Sequence, residues 1–176
     1  MAKQSIFGRI STLVKANVNA MLDSAEDPQK MLDQLVRDYT NSIVDAESAI
    51  AETIGNLRLL ERDHEQDVID AREWGNKALA ASKKADDLRG AGNSVDADKF
   101  DNLAKIALQR QISEENEANA IAPSIAAQTE VVDKLKDGLN GMKGKLEQLK
   151  SKRSELLARA KTAEAQTKVH DAVKSI

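Results

Sequence analysis

Apolar and polar residues alternate with helical rhythm along almost the whole chain, but the rhythm changes character twice. Over the first 22 residues, placed at about 100° per residue, Ile6, Phe7, Ile10, Leu13, Val14, Val18, Met21 and Leu22 fall on one half of a helix. Ser5, Gly8, Arg9, Thr12, Lys15 and Asn19 fall on the other half. The segment carries Lys3, Arg9 and Lys15 and has no acid before Asp23, so residues 1–22 read as one basic amphipathic helix. A linker over 23–27 follows. Asp27 is a good N-cap, and Pro28 suits the first helical position, where a missing N–H costs nothing.

From there a four-three spacing runs through positions 32, 36, 39, 43, 46, 50, 53, 57, 60, 64, 67, 71, 74, 78, 81, 85 and 88. Fourteen of these seventeen are apolar, the exceptions being Thr53, His64 and Asp67. Such a heptad run predicts coiled coil. Gly90, Gly92, Asn93 and Ser94 mark a turn over 89–96, after which Asp96 is the expected cap of a second helix. Its register runs from Ala97 to Ala163 and is broken by Gln111, Glu114, Gln128 and Arg153.

If the chain folds back at this turn, facing residues should sum to about 185. That rule pairs Leu60 with Ile125, Ile50 with Leu135, Ala46 with Leu139, Ile43 with Met142, Tyr39 with Leu146 and Val36 with Leu149, each a core position. Charge agrees, since residues 28–52 hold two bases and five acids, and residues 133–157 seven bases and four acids. The predicted fold is all-α, a long antiparallel coiled-coil helical hairpin over 28–157 preceded by an amphipathic helix. Each arm would be about 90 Å long at 1.5 Å per residue. Residues 158–176 keep helical composition with no first-arm residues left to face. They are expected either to continue the second helix or to form a third, covered by a further part of the chain or another subunit.

Composition narrows the function classes. Only 2% of the 176 residues are aromatic, 31% are charged and two are proline, a bias typical of long helices. No cysteine is present, so neither a disulfide framework nor thiolate chemistry is available. A net charge of −3 gives no basis for nucleic-acid binding, and no apolar run is long enough to span a bilayer.

No catalytic constellation emerges, and no enzyme activity, cofactor or metal is expected. Gly138, Gly141 and Gly144 lack phosphate-loop spacing, because Leu146 follows Lys145 where Ser or Thr is required. They read as a hinge in the second arm or as tolerated surface glycines. His64 reads as a polar break in the seam, and Pro123 is expected to bend or open the second helix. Trp74 sits between Ala71 and Ala78 and faces Gln111, where apolar cover is least. It either fills space left by the alanines or anchors a partner.

Two destinations are open to the apolar face of the first helix. It packs on protein, or it lies on an anionic membrane with Lys3, Arg9 and Lys15 toward headgroups and Ile6, Phe7, Ile10, Leu13, Val14 and Val18 toward acyl chains. The absence of acids favours the membrane, because helices packed on a core usually mix both signs. A helix of this length, with several Asn and Thr, is marginal alone and is expected to fold on the bilayer.

The stretch Ala16 to Tyr39, with its Ala-Glu-Asp-Pro junction at 25–28, resembles the N-terminal signature of the phage shock protein A family. That family includes the vesicle-inducing protein in plastids and is related to the ESCRT-III superfamily. The preceding Ile6-Phe7 and the Glu73-Trp74 step followed by Lys77-Ala78 are similar as well. The resemblance implies a bacterial membrane-stress protein, cytoplasmic and peripheral on the inner membrane. Such proteins bind anionic phospholipid through the first helix and form homo-oligomeric rods, rings or helical scaffolds that protect or remodel the bilayer. It also implies a second role, binding and inhibiting an AAA+ transcription activator through a surface that includes Trp74, with inner-membrane phage-shock proteins as further partners. Family members are usually longer, with further C-terminal helices, so a truncated chain is expected; the turn at 90–96 is longer than in the enterobacterial form.

Overall fold

The computed structural model describes residues 5–175, so Lys3 lies outside the described residues. Four helices follow in order: α1 Ile6–Lys15, α2 Val18–Asp23, α3 Pro28–Gly90 and α4 Ser94–Lys174. The long helices α3 and α4 pack against each other as the predicted hairpin.

Local chemistry sets each boundary. Ser5 Oγ accepts a hydrogen bond from the Gly8 N–H at 3.2 Å and caps α1. The continuous helix expected over 1–22 is interrupted, because Ala16 is extended (φ −58°, ψ 131°) and Asn17 starts a new helix. Asn17 Oδ1 accepts from the Ala20 N–H at 3.1 Å, the local bond by which Asn competes with continued helix. Asp27 caps α3 as the sequence predicts, its carboxylate accepting from the Lys30 N–H at 3.0 Å ahead of Pro28.

The turn is tighter than 89–96. The Gly92 N–H donates to the Arg89 carbonyl at 3.1 Å and the Asn93 N–H to the Leu88 carbonyl at 2.9 Å, the paired bonds of a Schellman end. That geometry needs a left-handed residue, and Gly92 supplies it with φ +81°. Asn93, rather than Asp96, caps α4, accepting from the Asp96 N–H at 3.3 Å. Asp96 sits instead in the first turn of α4, where it receives Lys99 Nζ at 3.0 Å and Asn93 Nδ2 at 2.8 Å. Those bonds, first that from Lys99, hold its carboxyl below the usual carboxylate range. α4 runs through Pro123 and on to Lys174 as one helix.

The hairpin comprises two compact units, one made of residues up to 52 and from 132, the other of residues 53–131. In the first unit the buried seam contains Leu32, Tyr39, Ile43, Ala46 and Ile50 from α3 and Val132, Leu135, Met142, Leu146 and Leu149 from α4. Acids of α3 meet bases of α4 across it, Asp33 with Arg153 at 2.6 Å and Glu47 with Lys143 at 2.7 Å, as the charge pattern predicts. In the second unit the buried residues are Leu57 and seven alanines: Ala71, Ala78, Ala85, Ala97, Ala104, Ala107 and Ala118. Arg89 and Asp101 pair beside the turn at 2.5 Å. From Ala158 to Ser175 every side chain is exposed, and Val169 and Val173 lie open on that stretch of α4.

Candidate functional site

The apolar face of α1 lies on the hairpin within the first unit. Ile10 is 5% exposed and Val18, opening α2, is 9% exposed. The seats of Ile10 and Val14 on α4 are glycines. A Cβ at Gly138 would overlap the Ile10 side chain, and one at Gly141 would come 3.1 Å from Val14 Cγ2. The i, i+4 pair Ile10 and Val14 therefore fits a notch cut by the i, i+3 pair Gly138 and Gly141. Glycine in a helix interior costs about 1 kcal/mol relative to Ala, so the notch is maintained against local helix preference. Gly144, with nothing near its missing Cβ, has no such contact.

Polar groups fix the carbonyl end of α1. Tyr39, 1% exposed, donates its hydroxyl to the Leu13 carbonyl at 2.6 Å. Lys145 Nζ donates to the Ala16 carbonyl at 3.1 Å. Both satisfy carbonyls that a helix end leaves unpaired, and the ammonium also suits the negative end of the helix dipole. Burial pushes the Tyr39 hydroxyl above its ordinary pKa. Arg9 reaches Asp45 at 3.5 Å across the outer edge of the contact, in an exposed pair.

These contacts place the sequence-predicted membrane residues. Ile10 and Val18 are buried, Ile6, Leu13 and Val14 are half-buried, and Arg9 and Lys15 point to solvent. Phe7 stays 38% exposed at the edge of the face. The segment is helical while docked on α4, so helix formation does not wait for a bilayer. Gly138 and Gly141, read from sequence as hinge or bystander, belong to this site. None of the described helices is long and apolar enough to cross a membrane.

The second unit holds two further features. Trp74 is half-buried and lines a shallow groove of about 350 Å³ with Lys77, Phe100, Leu103 and Ile106 among its neighbours. Lys77 Nζ stands 4.3 Å from the Trp74 ring centroid, a cation–π contact. Leu103 and Ile106 are 52% and 53% exposed, so the groove is open on its apolar side. Gln111 lies against Gly75, where an added Cβ would come 3.0 Å from Gln111 Oε1. Elsewhere the two acidic breaks in the heptads meet: Asp67 on α3 and Glu114 on α4, with Glu117, bring carboxylate oxygens within 4.8 Å of one another. Desolvation first, then the like charges of Glu117, Asp70 and Asp67, raise the Glu114 pKa.

The arrangement is thus an amphipathic helix held on one unit of a hairpin and an aromatic groove on the other. The PspA/IM30 family matches residues 5–176. The chain is 35% identical to the phage shock protein A homolog of Deinococcus radiodurans over 92% of its own length and 66% of that protein's. It is 31% identical to the membrane-associated protein Vipp1 of Synechocystis, over 91% of this chain and 55% of the relative. For the phage shock protein A homolog of Bacillus subtilis the identity is 33%, over 97% of this chain and 70% of the relative. The chain therefore spans about half to two thirds of the length of the relatives it matches. With its helix junction, its hairpin and nearly its whole length matched, the chain belongs to the PspA/IM30 family.

Proposed function

We propose that the protein is a non-enzymatic membrane-stress scaffold. It binds the anionic surface of the bacterial inner membrane through α1 and self-assembles through the outer faces of its hairpin to protect or remodel the bilayer. The observation that carries this reading is the N-terminal segment, with Phe7, Ile10, Leu13 and Val14 of α1 and Val18 of α2 as its apolar residues, Arg9 and Lys15 exposed, and no acid before Asp23. An apolar face of that kind adsorbs at the headgroup boundary, and its cations add attraction for anionic lipid that salt screens. Relatives named as membrane-associated proteins support the same reading.

The test is co-sedimentation with phosphatidylglycerol vesicles and with neutral phosphatidylcholine vesicles at low and high salt. The chain should pellet with the anionic vesicles and less so in salt, and Phe7→Glu, at an exposed position, should reduce pelleting at least tenfold. Equal pelleting of Phe7→Glu and the unaltered chain would remove α1 from the role.

A second reading rests on the Trp74 groove. A half-buried Trp beside exposed Leu103 and Ile106 has the character of an interface anchor, and an AAA+ transcription activator is the partner the resemblance implies. Trp74→Ala should abolish activator binding and leave vesicle binding intact. Equal losses in both assays would refute the division of labour.

A further inference from the structure

The apolar face of α1 has one width, and the first unit uses most of it. Ile10 and Val18 are buried and Ile6, Leu13 and Val14 half-buried against the hairpin. These are the side chains a bilayer contact would take into the acyl region. The same surface cannot leave water twice, so α4 and a membrane are exclusive occupants. The seat is shaped for this occupant: glycine stands where Ile10 and Val14 come down, and Gly144 faces open space. Tyr39 and Lys145 hold the Leu13 and Ala16 carbonyls at the far end of the helix. Phe7, 38% exposed, stays outside as the part of the face that lipid can reach first.

We propose that this docked arrangement is an autoinhibited closed state, in which the hairpin competes with the bilayer for α1 and membrane binding requires release from the Gly138 and Gly141 notch. The proposal rests on the membrane reading above and adds its regulation. A ligand shifts such an equilibrium only through its preference for one state, and here the bilayer takes only the released helix. The apparent lipid affinity is the intrinsic affinity reduced by the fraction of molecules that are open. The notch therefore sets how strongly a membrane must attract α1 before the protein responds.

The chain has no cysteine, so a lock can be installed without side reactions. Val14 Cβ lies 3.8 Å from the position of a Cβ on Gly141, the spacing usual across a disulfide. Val14→Cys combined with Gly141→Cys, in the full chain, should form an intramolecular disulfide under mild oxidation, and Val14→Cys with Gly144→Cys should not. The oxidised protein should bind vesicles of phosphatidylglycerol and phosphatidylethanolamine at least tenfold more weakly than the same sample after reduction. Independently, Gly138→Leu should close the notch and raise vesicle binding several-fold, with Gly144→Leu as the matched control and circular dichroism confirming helix content in both.

Failure of the disulfide to form would overturn the proposal, because α1 would not be docked in solution. Equal vesicle binding by the oxidised and reduced forms would overturn it too, as would equal binding by Gly138→Leu and Gly144→Leu. If neither the unaltered chain nor Gly138→Leu binds the vesicles under any condition, the membrane reading falls and takes the proposal with it. Binding by the unaltered chain with no effect of the lock sinks the proposal alone.

Discussion

The unit that receives α1 and the unit that contains the turn follow the same heptad spacing, yet they bury different side chains. In the first, the seam is filled by Leu32, Tyr39, Ile43, Ile50, Leu135, Met142, Leu146 and Leu149. In the second, alanines occupy most of the buried positions, while Leu79, Leu103, Ile106, Leu108 and Ile112 are between 48% and 57% exposed. Full burial of a Leu or Ile side chain is worth roughly 1.5–3 kcal/mol, and an alanine methyl brings a fraction of that. Most of the apolar stabilisation therefore sits in the first unit, which also carries the docked helix. The second unit keeps its large apolar groups outside, where only a partner can bury them. A heptad register locates a seam; the volumes at its positions decide how much the seam holds.

The sharpest way to break this comparison is to exchange the two kinds of residue. Leu149 has no exposed surface and lies opposite the first turns of α3. Leu149→Ala should cost about 2–5 kcal/mol, the range for truncating a buried leucine, read as a lower midpoint in urea unfolding. Ala97 is equally buried, in the unit whose other buried residues are nearly all alanines. Ala97→Leu should cost about 1–3 kcal/mol through overpacking, although it adds apolar area. If Ala97→Leu stabilised the chain instead, the alanine seam would be underfilled rather than close-packed.

Much of the hairpin was legible in the sequence because its signals are periodic or local. Every position of the first register is buried or half-buried, and the Asp27-Pro28 start of α3 follows from capping chemistry. The charge complementarity of the arms holds in the first unit, where Asp33 pairs with Arg153 and Glu47 with Lys143. The site was harder to read. The break at Ala16 and Asn17 depends on a choice between continued helix and an Asn cap, two states close in energy. The role of Gly138 and Gly141 depends on what lands on them, and a glycine's spacing cannot reveal that until the partner helix is placed. Amphipathicity showed that α1 has an apolar face, and the absence of acids pointed to lipid. Neither reveals that the same face also fits the protein's own second arm.

A smaller effect separates the docked helix from the unit beneath it. Tyr39→Phe keeps the buried ring and removes the hydroxyl that binds the Leu13 carbonyl. The expected cost is about 0.5–1.5 kcal/mol, the usual net worth of one such hydrogen bond. It should appear chiefly as faster amide exchange in α1, with little change in the hairpin. The bond also has a pH dependence. Burial raises the Tyr39 pKa, so the docked state favours the neutral hydroxyl; its contribution is fully present below the ordinary tyrosine pKa and is lost as pH rises through the raised value. Exchange that quickens in the α3 and α4 seam as much as in α1 would show that the helix and the unit open together.

The smallest expected effect concerns the second unit, where few large apolar residues are buried and acids meet in the seam. Asp67, Glu114 and Glu117 gather at one place, and the Glu114 carboxyl is raised by desolvation and by those like charges. A carboxyl whose pKa is raised on folding binds its proton more tightly in the folded state. The chain should therefore gain stability as pH falls through that raised value toward the ordinary carboxyl pKa, and the gain is absent at neutral pH. Glu114→Gln removes the charge and keeps the shape. It should raise the unfolding midpoint at neutral pH by less than Tyr39→Phe lowers it, and flatten the acid-side gain. High salt should shrink the difference between variant and parent, since Asp67 and Glu114 are only half-buried and Glu117 is exposed. A neutral-pH midpoint lowered by Glu114→Gln would mean that the carboxylate is held by favourable contacts, and the contrast between a filled seam and a strained one would fail at this position.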